Sequence, residues 1–267
     1  MPSLNRSPAL SIYYEIDDFT DPWADRPYLI LQHGNGRSSH FWYRWIPFLS
    51  RRYKVIQPDM RGLGRSLGRL DLERDLTLDA LVGDLIALLD HLGAGSVHFC
   101  GESMGGILGF ALAAQHPSRV RSLTLVATPV FIEDAMKQRY ALGHESRTDA
   151  MKKLGIRELV AQTTRRTRIP ADAEPNLFEW YVDEFSKADL AVQVAMSKLV
   201  NAADASAFLP QVQAAVLGLY PTAGQITSEA QEASLRAGLS EFELIHLPTP
   251  YHMVHLLYPE LCTREVL

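Results

Sequence analysis

Apolar residues group into short β-branched or aromatic runs separated by longer stretches with helical spacing. That is the pattern of a parallel sheet whose strands are joined by helical crossovers. The runs lie at residues 28–31, 53–56, 97–100, 123–126, 216–219 and 242–245. Between the second and third, Leu78, Leu81, Val82, Leu85, Leu88, Leu89 and Leu92 recur at helical spacing, with Thr77 suited to the N-cap and Gly93 where a C-cap glycine belongs. From Pro129 to Asp204 the alternation stops and the text becomes helical, polar and rich in both charge signs, broken at Ile169-Pro170 and Glu174-Pro175. The pattern predicts an α/β core made of residues 1–128 and 205–267, interrupted by a helical cap insertion over 129–204. There is no internal repeat or low-complexity tract. The chain reaches Leu267 within a helical pattern, which leaves open a further C-terminal tail.

Composition narrows this picture. A chain of 267 residues, 47% hydrophobic, is long enough for one sizeable core that buries roughly 70–75% of its unfolded surface. Lys and Arg number 26 against 31 Asp and Glu, a net charge of −5, too evenly mixed for a disordered or nucleic-acid-coating chain. The longest apolar stretch, residues 104–114, carries three glycines and falls well short of the roughly 20 residues that span a bilayer. The opening residues lack the basic segment and apolar run of a secretory signal, and two cysteines cannot make a disulfide framework. The expectation is a soluble cytoplasmic protein, monomer or homodimer, with no nucleic-acid or membrane partner.

Three segments carry chemistry. Gly101-Glu102-Ser103-Met104-Gly105 follows an apolar strand and opens a small-residue helix, the setting in which a sharp turn presents a nucleophilic serine at the carboxyl edge of a sheet. His33-Gly34-Asn35-Gly36 follows the strand at 28–31 and reaches the same edge. Acyl transfer needs two backbone N–H groups facing the developing oxyanion, and Met104 and Asn35 are assigned to supply them. His33 itself reads as a packing residue. Tyr251-His252-Met253-Val254-His255 comes just after the last strand, where a general base arrives. His252 is the assigned base, and His255, one turn into the next helix, is a packed or capping residue. Two histidines three apart without an H-E-x-x-H motif do not point to a metal.

Together with Asp59-Met60-Arg61-Gly62-Leu63-Gly64-Arg65-Ser66 and with Leu256 and Pro259-Glu260 after His255, these pieces resemble the α/β-hydrolase superfamily from about Ile12 to the end, outside the insertion. The resemblance implies the α/β-hydrolase fold, a mostly parallel central sheet flanked by helices with a helical cap insertion. It also implies an enzyme among esterases, enol-lactone hydrolases and carbon–carbon bond hydrolases. Halide displacement and epoxide opening use a carboxylate nucleophile where this chain has Ser103. The expected function is cofactor-independent hydrolysis of a small carboxylic ester or lactone through a Ser103 acyl-enzyme. The alternatives are a C–C bond hydrolase or lyase on the same scaffold, or a low-turnover ligand-binding receptor. Asp59 and Arg61 read as a structural turn bracing the active-site edge.

One part of the pattern is broken. A serine–histidine pair normally uses a carboxylate to orient the imidazole, and relatives carry it in the loop after the penultimate strand, near Gly224. No Asp or Glu lies between Asp204 and Glu229. Candidate substitutes are Glu133 and Asp134, which follow the preceding strand at the start of the insertion. Asp204 and a neutral group or water remain as alternatives. Arg165-Arg166-Thr167-Arg168 could meet a substrate carboxylate, although a solvated helix end is the preferred reading. Phe178, Trp180, Tyr181 and Phe185 should pack the insertion onto the core, Trp42 is the candidate pocket wall, and Cys100 should be inert packing.

Overall fold

The computed structural model describes residues 2–224 and 226–267. In chain order it has β1 (Ser3–Ser7), β2 (Leu10–Asp17), β3 (Tyr28–Gln32), α1 (Ile46–Leu49), β4 (Lys54–Pro58), α2 (Leu78–His91), β5 (Val97–Glu102), α3 (Met104–Gln115) and β6 (Val120–Val126). There follow α4 (Asp134–Ala141), α5 (Arg147–Leu154), α6 (Ile156–Thr167), α7 (Pro175–Ser186), α8 (Leu190–Ala202), β7 (Ala215–Pro221), α9 (Glu229–Gly238), β8 (Phe242–Leu247), α10 (Val254–Leu257) and α11 (Pro259–Val266). The strands form one eight-stranded sheet in the order β1-β2-β4-β3-β5-β6-β7-β8. β3 to β8 run parallel, and β1 and β2 are antiparallel additions at one edge.

Five of the six predicted runs lie within β3 and β5 to β8, and the run at 53–56 overlaps β4, which starts one residue later at Lys54. The sequence pattern left β1 and β2 unassigned, and the reason is physical. Apart from the half-buried Leu4, β1 is exposed and built from Ser, Asn and Arg, so as an antiparallel edge strand it needs no apolar run. In contrast β5 is buried along most of its length, as a central parallel strand covered on both faces must be. Register then defines the working edge. Gln32 pairs with Gly101, Glu102 with Val126, and Val126 with Leu219. The carboxyl ends of β3, β5, β6 and β7 therefore stand in one row, and the loops leaving them meet.

The α2 scaffold forms as its spacing predicts. Thr77 Oγ1 accepts from the Ala80 N–H at 3.2 Å, and Leu81, Val82, Leu85, Leu88 and Leu89 are buried. The same helix buries Asp84, which binds the Arg61 guanidinium through two bonds of 2.5 and 2.7 Å. This pins the loop after β4, and Asp59 braces that loop by accepting from the backbone N–H groups of Ser39 (2.6 Å) and Arg65 (2.7 Å). Between β6 and β7 stand the five helices α4 to α8, and a bridge between Phe131 and Asp204 joins the two ends of this excursion. Tyr181, Val182 and Phe185 of α7 pack with Phe41, Met253 and Leu256, with the Phe41 and Tyr181 rings edge-on at 5.4 Å. The insertion's aromatics thus seat it on the loops of the carboxyl edge. Among the described residues no helix is long and apolar enough to cross a membrane.

Candidate active site

Ser103 sits between the end of β5 and the start of α3 with φ 52° and ψ −116°, a combination an L-residue adopts only when its surroundings force it. Glycines make the turn possible. A Cβ on Gly101 would run into the Gly105 carbonyl, and one on Gly105 would run into the Gln32 carbonyl of β3. The Ser103 N–H is held by the Val126 carbonyl at 3.0 Å, so the strain is fixed from the neighbouring strand. Ser103 is only partly buried, whereas its neighbours Glu102 and Met104 are fully buried. The Met104 N–H belongs to the first turn of α3, where no intrahelical acceptor exists, and it opens toward the same edge.

The loop carrying Asn35 is rigid for identifiable reasons. His33 is buried, and its Nε2 accepts from the Met60 N–H at 2.9 Å. Nδ1 therefore carries the proton and donates to the Gly34 carbonyl at 2.8 Å. Burial pushes the His33 pKa down, which keeps the ring neutral. His33 is a clamp between the loops after β3 and β4, as expected. Arg37 adds a second clamp, donating to the Asn35 carbonyl at 3.3 Å.

Burial and charge organise the centre of the site around Glu102. Its Oε1 lies 3.1 Å from His252 Nε2 and its Oε2 lies 3.0 Å from Arg37 Nη1, with all three side chains at least 97% buried. Both are close ion-pair contacts rather than well-aligned hydrogen bonds, so the carboxylate oxygens retain bonding capacity in a buried place. Burial by itself would raise the Glu102 pKa. The Arg37 charge and the His252 N–H outweigh it and hold the carboxyl at about 2. For His252 burial is the largest influence and pushes its pKa down; Glu102 opposes that, and Arg37 and Arg168 add to it. The net direction leaves a neutral imidazole below the ordinary histidine range. The His252 N–H donates to the Thr167 carbonyl at 2.9 Å, so the last turn of α6 holds the histidine loop.

Several sequence assignments need correction or relocation. Glu133 does not reach His252. It accepts from Ser228 Oγ at 2.5 Å and from Gln231 Nε2 at 2.9 Å, tying the start of α4 to the start of α9. Asp134 is exposed and pairs with Lys137 at 3.0 Å, the ordinary arrangement of an acid in a first helical turn. Asp204 lies at the bridge with Phe131 and caps Ser206. The carboxylate beside His252 is Glu102, inside the elbow motif itself. Trp42 is not a pocket wall: it is fully buried, with Trp45 and His255 rings each 4.9 Å away. His255 is packed as expected, and burial drives its pKa to about 3. Arg165 and Arg166 are exposed but Arg168 is buried, so only part of that basic run is a solvated helix end. Cys100 is buried and its thiol pKa is raised by burial.

A protein of Caulobacter sp. (strain K31), named as a proposed carbamate hydrolase RutD, is 36% identical over 115 residues, which is 43% of this chain and 41% of that protein. The chain thus spans about two fifths of the length of the first curated relatives it matches. The 3-oxoadipate enol-lactonase 2 of Acinetobacter baylyi is 27% identical over 209 residues, covering 78% of this chain and 75% of the relative. Among solved structures, an enol-lactonase from Burkholderia xenovorans LB400 superposes with a TM-score of 0.83 at 24% identity, over 99% of this chain and 98% of that one. A hydrolase from Pseudomonas aeruginosa PA01 gives 0.85 at 24% identity, over 99% and 96%. Those structural likenesses speak for the fold alone. A profile of the family described as alpha/beta hydrolase fold matches residues 27–174, more than half of the chain, and with the sheet order and strained Ser103 turn already in hand, the chain belongs to the α/β-hydrolase family.

Proposed function

We propose that the protein hydrolyses a small carboxylic ester or lactone through a Ser103 acyl-enzyme, with His252 as general base and Glu102 as the acid that orients it. The observation that carries this reading is the buried Glu102 carboxylate 3.1 Å from His252 Nε2, one residue before a strained, partly exposed serine. A carboxylate held at about 2 accepts rather than donates, so Nε2 carries the imidazole proton and Nδ1 keeps the lone pair. Ser103 Oγ attacks the carbonyl carbon and passes its proton to that lone pair, the Asn35 and Met104 N–H groups receive the oxyanion, and the protonated His252 returns the proton to the leaving alkoxide. Water attacks the acyl-enzyme by the same route in reverse, releasing the acid and Ser103. Glu102 remains ionised throughout and stabilises the imidazolium.

The relatives named for carbamate and enol-lactone hydrolysis support carbonyl hydrolysis as the reaction class. The receptor alternative drew its support from the neutral Gly224 loop, and Glu102 removes that support by supplying a carboxylate from elsewhere. The test is labelling with a fluorophosphonate, alongside hydrolysis of 4-nitrophenyl acetate. Wild-type protein should be labelled at Ser103 and turn over the ester, and Ser103→Ala should do neither while keeping its thermal unfolding midpoint. An unlabelled wild type, or a Ser103→Ala variant that keeps more than about a tenth of the turnover, refutes the assignment.

A further inference from the structure

The helices between β6 and β7 enclose a pair of arginines that the proposed catalysis does not use. Arg147 at the start of α5 and Arg168 just beyond α6 both stack on Tyr140, with guanidinium carbons 4.9 and 4.8 Å from its ring centre. Arg168 is 4% exposed. Its Nη1 donates to Thr163 Oγ1 at 2.9 Å, and its Nε is buried with no partner. Arg147 is partly exposed as a residue, yet its Nε is likewise enclosed and unpartnered. Among the described residues neither guanidinium has a carboxylate within ion-pair distance. Burial and the nearby Arg168 charge pull the Arg147 pKa down to about 10, so it stays charged at neutral pH. Placing two like charges together in a low-dielectric seam without a counter-ion is expensive unless a ligand completes the arrangement.

The location joins this pair to the site. The Thr167 and Arg168 carbonyls accept from the His252 and Met253 N–H groups at 2.9 and 3.3 Å, so Arg168 is anchored to the histidine loop. Tyr140 packs with Ile132, Met136 and Ile226. Ile226 belongs to the very loop after β7 that has no acidic residue. Arg37 is neutralised by Glu102, whereas Arg168 acts on His252 and Arg147 acts with Arg168 and Arg37, so the positive charge of the pair is left over beside the histidine loop.

We propose that Arg147 and Arg168, sharing the Tyr140 ring, bind an oxyanion group, carboxylate or phosphate, carried by the substrate of the Ser103 centre. This rests on the hydrolase reading above and narrows it to esters or lactones that bear a second, negatively charged group. Planar forked donors without a protein counter-ion suit such a group, and the same excess positive charge draws an anionic substrate toward the seam.

The test compares mono-4-nitrophenyl glutarate, which carries a free carboxylate, with neutral 4-nitrophenyl acetate. In Arg168→Gln and in Arg147→Gln the ratio of kcat/KM for the glutarate ester over the acetate should fall at least about tenfold, and Arg168→Lys should recover part of it. A merely structural role would lower both esters together and leave the ratio intact. A ratio within twofold of wild type in both Gln variants overturns the proposal, and Arg147→Gln, at the more exposed position, serves if Arg168→Gln fails to fold. Competition by free glutarate and by inorganic phosphate separates the two oxyanions. If wild type cleaves neither ester, the hydrolase reading fails, and calorimetric titration with glutarate and phosphate then judges the anion site alone. Binding to wild type that is lost in Arg168→Gln upholds it, and no binding to wild type overturns it.

Discussion

Replacing Glu102 by Gln keeps the shape of the side chain and removes its charge, which separates its ion pair with Arg37 from the orienting role proposed for it beside His252. In the wild type the carboxyl is held at about 2 against an ordinary value of 4.5. At 1.36 kcal/mol per unit this amounts to about 3 kcal/mol of folding stability. Because the folded value is the lower one, that stability is present above about pH 4.5 and is lost as pH falls toward 2. It agrees in size with the 3–5 kcal/mol expected when one partner of a buried pair is removed, since the substitution strands the Arg37 guanidinium, 3.0 Å away and buried. Glu102→Gln should therefore unfold about 3 kcal/mol more easily in urea at pH 7. Its turnover of 4-nitrophenyl acetate should fall by about 10³–10⁴, the scale of an acid-to-amide exchange in a serine–histidine triad. Adding Arg37→Met to Glu102→Gln removes the stranded charge with a side chain of similar length. The double variant should regain most of the stability and none of the turnover. If Glu102→Gln keeps more than about a tenth of wild-type kcat, or if the double variant recovers activity with stability, Glu102 is only the structural partner of Arg37 and the mechanism above is wrong.

Four further outcomes follow from the same geometry. His252→Ala should abolish ester hydrolysis, whereas His255→Ala should chiefly loosen packing against Trp42; steady-state kinetics joined to urea midpoints would expose a reversed assignment if His255→Ala were the more damaging in folded protein. Glu133→Gln combined with Asp134→Asn should leave kcat within about twofold and lower stability by about 1 kcal/mol through the Ser228 and Gln231 bonds, so a loss of orders of magnitude in kcat would bring these acids back into the reaction. The acid limb of kcat/KM should fall below pH 6.5, because His252 is shifted down from that value and works as base only when neutral. Folding stability should also decline as pH falls from 6.5 toward 3, where unfolded histidines take up protons that buried His255 refuses. A pH–rate profile with its acid limb above 7 would contradict the first of these.

The parallel core was readable because central strands covered on both faces must be apolar runs, as β3 and β5 are along most of their length; the edge strand β8 is half-exposed and shows an apolar run only in part. The strained Ser103 turn was readable for a related reason: Gly101 and Gly105 are demanded by backbone contact, and contact of that kind leaves a fixed spacing in the text. The edge strand β1 left no such trace, since an exposed antiparallel strand places few demands on its side chains. Trp42 was misread because its distance along the chain from the Asn35 loop is short, while the short helical turn at Ser39–Trp42 points it into the core behind His255.

The carboxylate beside His252 is the instructive miss. A search by position asks which loop follows which strand, and it passes over Glu102 because a residue inside a strand end is read as sheet. Yet the signal was present in charge. A glutamate at the buried end of a mostly apolar strand cannot remain ionised alone. Arg37 stands five residues beyond Gln32, the register partner of Gly101, and so is delivered to the same edge by the neighbouring strand. Two opposite charges placed by adjacent strand ends into one buried volume imply an ion pair. Once that pair exists, a histidine arriving at the edge has a carboxylate to meet without one from the loop at Gly224. The neutral loop at Gly224 and the charge pair of Arg37 and Glu102 are on this argument compatible features of one edge, because His252 finds its carboxylate 3.1 Å away in the elbow.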